Sequence, residues 1–172
     1  YQAVIQHHVS LIHQSQCPQR KQIGIPGTGA NQIYLTHFSA GLGCLQSIPE
    51  SLLDRLDGGV FNETSLRGCR MDGASVREAN FVSCDMAGVS IAASDLRHSL
   101  FYRCDLSETN FAGSRLVLAS FAECDMSGAD LCGCDLTIAN MVKCDLSDAQ
   151  MRGATFDRTS ILESQVPRID LS

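Results

Sequence analysis

The chain of 172 residues has no run of apolar residues long enough to cross a bilayer as a helix, for which about eighteen would be needed. It also lacks an initiator methionine. Its opening, YQAVIQHHVSLIHQ, breaks its apolar residues with Gln and His and does not read as a signal peptide; the expectation is a segment of a longer polypeptide or a processed form. There is no CxxC pair among the nine cysteines, an odd count that argues against a disulfide framework and for a reducing, cytoplasmic setting. An excess of basic charge is missing too. Residues 1–58 balance three basic groups against three acidic ones, so the formal charge of −6 resides in residues 59–172. Nucleic acid as a direct ligand needs a basic face and is therefore excluded. With 44% hydrophobic residues, the chain can bury one core and build one compact unit.

What the chain does have is a period of five, which suits neither an α-helix nor a flat strand. Stepping by five from Phe61 to Val166 meets twenty-two positions, and all of them hold Phe, Leu, Met, Ile or Val. Two residues before each centre the side chain is nearly always small, as at Thr64, Cys69, Ala74 and Ala79. One residue before it stands mostly Asp, Asn or Ser. The unit A(D/N)Lxx runs without insertion from residue 59 to about 168, and this stretch resembles the pentapeptide-repeat family.

The resemblance implies an all-β solenoid, a right-handed, four-sided parallel β-helix with one pentapeptide per side and four per coil. Residues twenty apart then stack in columns about 4.8 Å apart. The first side stacks Phe61, Phe81, Phe101 and Phe121 ahead of Met141 and Ile161; the expected domain organisation is an N-terminal extension with a capping helix (1–57), the β-helix (58–168) and a short tail (169–172).

Three columns bear on function. Cys84, Cys104, Cys124 and Cys144 form an inward file, either a metal or redox wire or, as we favour, compact filling for a slot that admits little more than Ala. Beside it Asp85, Asp105, Asp125 and Asp145 form an acidic strip. Stacked like charges repel, so these carboxylates are expected either to accept backbone N–H bonds at their turns or to attract a basic partner. Near the corner between the fourth and first sides lie Leu100, Tyr102, Val117, Leu118, Ile138 and Val142, with Val82 below: an outward apolar patch of the kind that binds protein or is covered by a neighbouring segment.

Residues 1–57 show no such register. SIPESLLDRLDGG carries a capping box at Ser47 and Glu50, Pro49 in a first turn and a Leu52, Leu53, Leu56 stripe ended by Gly58, so a helix is expected to cap the first coil. GIPGTGANQ lacks the GK[ST] of a phosphate loop, and His7, His8, His13 and Cys17 match no zinc spacing. No nucleophile, base and orienting group come together, so neither catalytic residue, cofactor nor metal is expected. The expected role is a non-catalytic protein-binding or scaffold module. It is similar to the β-helical recognition regions ahead of catalytic domains in bacterial effectors, HECT-like ubiquitin ligases included, which would place it in the bacterial or host cytosol with a linked downstream domain. The alternative resemblance is to DNA-mimicking pentapeptide proteins that bind DNA gyrase and protect it from quinolones, with the Asp85 to Asp145 file standing for phosphates.

Overall fold

In the computed structural model, residues 34–36 and 56–166 are described. The repeats wind a right-handed parallel β-solenoid of about five coils. Four pentapeptides close each coil, because every residue pairs with the one twenty positions on: Phe61 with Phe81, Phe81 with Phe101 and Phe101 with Phe121. We number the four walls from the one that contains Phe61.

Wall 1 carries true strands. β1 (Tyr34–Thr36), β2 (Val60–Asn62), β3 (Asn80–Val82), β4 (Leu100–Tyr102), β5 (Ser120–Ala122), β6 (Asn140–Val142) and β7 (Ser160–Leu162) form one parallel sheet in sequence order. The other three walls are held by single bridges, as between Asp105 and Asp125 on wall 2 or Asn110 and Asp130 on wall 3. β1 comes from ahead of the repeats and pairs with β2. It therefore covers the N-terminal edge that an open solenoid would leave unpaired.

The interior is filled. Every centre from Leu56 to Met151 is buried, and Phe81, Phe101, Phe111 and Phe121 are fully enclosed. Rings stack face to face along wall 1, with centroids 4.5 Å apart for Phe61 and Phe81 and 4.9 Å for the next two pairs. Phe111 on wall 3 meets Phe101 and Phe121 edge-on at 6.2 and 6.1 Å. A column of identical residues thus gains offset stacking along the axis and T-shaped contact across it.

Sharp corners require an unusual backbone. The residue two places after each centre from Leu56 to Ile161 has a positive φ: eight are glycine and fourteen are not. Left-handed backbone costs an ordinary L-residue on the order of 1 kcal/mol or more, and glycine almost nothing. That is why the repeat glycines, apart from Gly59, all fall on this one phase of the register.

The small inward residue does more than fit. Its hydroxyl or thiol donates to the centre carbonyl of the preceding wall one coil back, as Ser114 Oγ does to Ile91 O at 2.8 Å, Thr109 Oγ1 to Met86 O at 3.0 Å and Cys134 Sγ to Phe111 O at 3.0 Å. Among the described residues no buried side-chain nitrogen or oxygen is left without a partner.

At the N-terminal end the register begins one step before Phe61. Leu56 lies in the core, and Gly59 N–H closes a turn onto Leu56 O at 3.0 Å, so Leu56 to Gly58 take the conformation of a repeat corner rather than a helix end. The rest of the expected capping helix, residues 47–55, lies outside the described residues, as do VIQHHVSLI, GIPGTGANQ and the histidines at 7, 8 and 13. Asp57 clamps the first coil to the second: it accepts Ser75 Oγ and Arg77 N–H at 2.8 Å and Arg77 Nε at 2.9 Å. Burial pushes its carboxyl up, but the bonds from Arg77 and Ser75 outweigh burial and hold it below the usual carboxylate range.

Candidate functional site

With the inside filled, chemistry is confined to the outer walls. Outward side chains fall in three files per wall: just before the centre, just after it, and at the corner.

On wall 2 the file before the centre is Asp85, Asp105, Asp125 and Asp145, bridged in order. Each carboxylate turns back onto its own chain. The Oδ1 atom accepts the N–H two residues on, from Ala87 at 3.3 Å, Ser107 at 3.0 Å, Ser127 at 2.9 Å and Ser147 at 2.9 Å. Ser107 and Ser147 add their hydroxyls at 2.6 and 2.5 Å. These are the local turns that favour Asp at such positions. For Asp145, the Ser147 hydroxyl and N–H hold the carboxyl below its ordinary range. Arg67 lies 3.1 Å from Asp85 and 3.5 Å from Asp105, whereas Asp125 and Asp145 have no cation partner among the described residues. Above Arg67 the neighbouring file continues as Ala87, Ser107, Ser127 and Ser147, all short side chains. Wall 2 is a flat acidic strip at the upper coils and a partly neutralised one below.

Behind that strip runs the cysteine file. Cys84, Cys104 and Cys124 donate to Phe61 O, Phe81 O and Phe101 O at 3.4 Å, and Cys144 to Phe121 O at 3.6 Å. The seven described cysteines are free, and six are buried. Burial pushes the Cys69 thiol up and that of Cys134 up to about 12. Cys104 and Cys144 are pushed up as well, by the adjoining thiol in the file and by burial. Cys84 and Cys124, which alternate with them, are pulled the other way by hydrogen bonds from the neighbouring thiols; all four are enclosed, and enclosed thiols are poor nucleophiles and poor ligands. Among the described residues no three His, Cys, Asp or Glu side chains are grouped to hold a metal ion. The thiols serve as donors to the backbone of wall 1.

The apolar residues expected at one corner resolve into two neighbouring files. Leu118 and Ile138 stand at the corner between walls 4 and 1 and are 42% and 40% exposed. Both sit on left-handed backbone, at φ 60° and 57°, and Ile138 is the one β-branched residue among the fourteen non-glycine corners. Val117 and Leu100 flank them, half-buried on walls 4 and 1. Tyr102 and Val142 lie farther across wall 1, in the file after the centre. Register pairs Val82 with Tyr102, Tyr102 with Ala122, Ala122 with Val142 and Val142 with Leu162. That file is apolar for five consecutive coils. Ala122 and Leu162, the latter 55% exposed, were not singled out from sequence; stepping by twenty from Val82 would have found both. Arg103 lies over the Tyr102 ring at 4.9 Å and pairs with Glu123 at 2.7 Å, and Lys143 faces Glu163 at 3.8 Å. The rim of wall 1 is therefore charged but internally balanced. His98 occupies the corner position below Leu118, also at positive φ.

No helix among the described residues is long and apolar enough to cross a membrane.

Comparison with known proteins agrees with this geometry. Residues 74–151 match the model of a pentapeptide repeat region. A trypsin-treated variant of QnrB1, a plasmid-mediated fluoroquinolone resistance protein, superposes with a TM-score of 0.60 at 22% identity, covering 79% of this chain and 76% of that one. The full-length form of QnrB1 gives a TM-score of 0.57 at 17% identity, covering 81% and 88%. A pentapeptide repeat protein, Rfr23, from the cyanobacterium Cyanothece 51142 gives 0.45 at 17% identity, covering 80% and 88%. No curated protein matches the chain.

Proposed function

We propose that this chain, a member of the pentapeptide-repeat family by its residues 74–151, is a non-catalytic protein-binding solenoid that engages its partner through the corner bearing Leu118 and Ile138. The observation that carries the reading is the state of those two side chains. They are exposed, so they add little to folding, and they occupy a backbone conformation that disfavours them. A residue that the fold neither needs nor welcomes points to a use outside the fold. Leu100, Tyr102, Val117 and Val142 extend the same surface. The filled interior leaves no room for a substrate, so recognition is assigned to the walls. Such a module suits the recognition part of a larger bacterial protein, an effector among them, working in a reducing compartment with its cysteines free.

In-cell proximity labelling followed by quantitative recovery of each labelled protein tests this. Leu118→Glu combined with Ile138→Glu is expected to reduce the recovered partner at least tenfold, while Asn at positions 85, 105, 125 and 145 leaves it in place. The opposite pattern overturns the assignment.

One observation favours a second reading. Asp125 and Asp145 have no cation partner among the described residues, and the strip repeats a carboxylate about every 4.8 Å along the axis, a regular single-file array of anions as a DNA strand presents. A basic, DNA-binding partner such as a gyrase would be recognised by wall 2. Inhibition of purified gyrase supercoiling by this chain, lost with the four Asn substitutions and weakened by salt, would put this reading first.

A further inference from the structure

We infer that wall 1 seats a single amphipathic helix of the partner, lying along the file Val82, Tyr102, Ala122, Val142 and Leu162. This rests on the protein-binding reading and names what kind of surface the wall accepts.

Wall 1 is narrow. The strands of wall 1 are three residues long, about 10 Å at 3.3 Å per residue, and the six repeat strands from β2 to β7 span about 24 Å at 4.8 Å per step. The footprint is roughly 240 Å², well under the ~800 Å² per partner that a stable globular interface needs. A second copy laid flat on this wall would be held too weakly to persist. A helix, by contrast, is about 10–12 Å across with its side chains, and about sixteen residues of it cover 24 Å.

The period of the wall also suits a helix. Successive rungs are one strand spacing apart, about 4.8 Å, and successive turns of a helix about 5.4 Å apart. Apolar residues at i, i+3 or i+4, and i+7 then meet three consecutive rungs with only a small accumulated offset. Relief along the file helps: Ala122 leaves a notch between Tyr102 and Val142, into which one large side chain of the helix fits. On the other walls the equivalent file is interrupted by polar or charged groups, as at Arg67 and Ser107 on wall 2, Asp72 and Arg152 on wall 3, and Arg77 and Asp157 on wall 4.

Charge plays little part at this wall. The rim beside the file is already paired, Arg103 with Glu123 and Lys143 with Glu163. Recognition by wall 1 therefore rests on apolar shape and is insensitive to salt, unlike recognition by wall 2.

The test uses the full chain against two displayed libraries of equal size, one of single helices with a randomised apolar stripe and one of extended peptides. Binders are expected from the helical library only. Their affinity should change less than twofold between low and high salt and fall at least tenfold with Val142→Glu. Ala122→Leu is the decisive variant, because it adds apolar surface, removes no contact and fills the notch. It weakens a shape-matched helix and strengthens indiscriminate adhesion. Binders that are extended peptides, or helices that bind Ala122→Leu more tightly, overturn the inference. Its failure is distinguishable from failure of the wider reading. A native partner that still depends on Leu118 and Ile138 while every selected helix ignores wall 1 removes the helix alone. A native partner indifferent to both removes the protein-binding corner as well.

Discussion

Walls 1 and 2 share the same repeat, the same chain and the same coils, yet they are built on opposite terms. Wall 1 has aromatic rings inside, real strands and an apolar outer file. Wall 2 has Leu and Met centres, a thiol file and a column of carboxylates held by single bridges. The difference teaches that the five-residue unit specifies only the inward positions and the corner. The two outward positions are free, and a step of twenty turns whatever is chosen there into a column. Fold and surface are thus encoded in separate phases of one register.

The comparison breaks most severely if the core that both walls lean on is opened. Phe101 is fully buried, stacked between Phe81 and Phe121 and met edge-on by Phe111. Phe101→Ala is expected to destabilise the protein by about 3–5 kcal/mol, read by equilibrium denaturation. A loss under about 1 kcal/mol would mean that the rings are not in file.

A smaller effect separates the inner linings. Cys124 donates to the carbonyl of Phe101, so the thiol file of wall 2 braces the backbone of wall 1. Cys124→Ala is expected to cost about 1 kcal/mol and Cys124→Ser distinctly less, since Ser114 makes the equivalent bond at 2.8 Å. Equal costs for the two variants, in the same denaturation assay, would reduce the cysteine to a space-filler.

The smallest effect concerns the corner. Ile138→Gly removes an exposed side chain from left-handed backbone, so stability is expected to hold or to rise by up to about 1 kcal/mol. Partner recovery should fall in the same variant. A destabilised Ile138→Gly would show that the side chain serves the fold.

Much of this architecture was legible in the sequence, for a physical reason. A closed solenoid one pentapeptide wide has no freedom to shift register, so Phe61, Phe81 and Phe101 had to stack once the period of five was read. The Asp turns were legible too, because a short carboxylate beside a free N–H has few other uses. What was not read lay in a different phase. The corner glycines, at Gly68, Gly73, Gly88 and Gly113, announce the positive φ on which Leu118 and Ile138 sit, but their signal is conformational and hydropathy does not report it. The apolar file of wall 1 was only half found, since Ala122 is too small to register as a patch and matters as an indentation between Tyr102 and Val142. Leu56, expected in a helical stripe, belonged to the core because a Leu at that spacing satisfies a helix and a coil alike.

The twenty-residue lap has a last consequence, for how such a molecule can change in length. Duplicating or deleting a full lap lengthens or shortens the rod and leaves every surface aligned. Removing a single pentapeptide still leaves an apolar centre on every wall, but it swings everything downstream by a right angle and takes the phenylalanine rings out of file. Ile138 would then no longer share an edge with Leu118, and the carboxylate row would be severed. Insertions are therefore tolerated best in whole laps, whereas a lone unit gained or lost breaks the ring and thiol files as well as scrambling recognition.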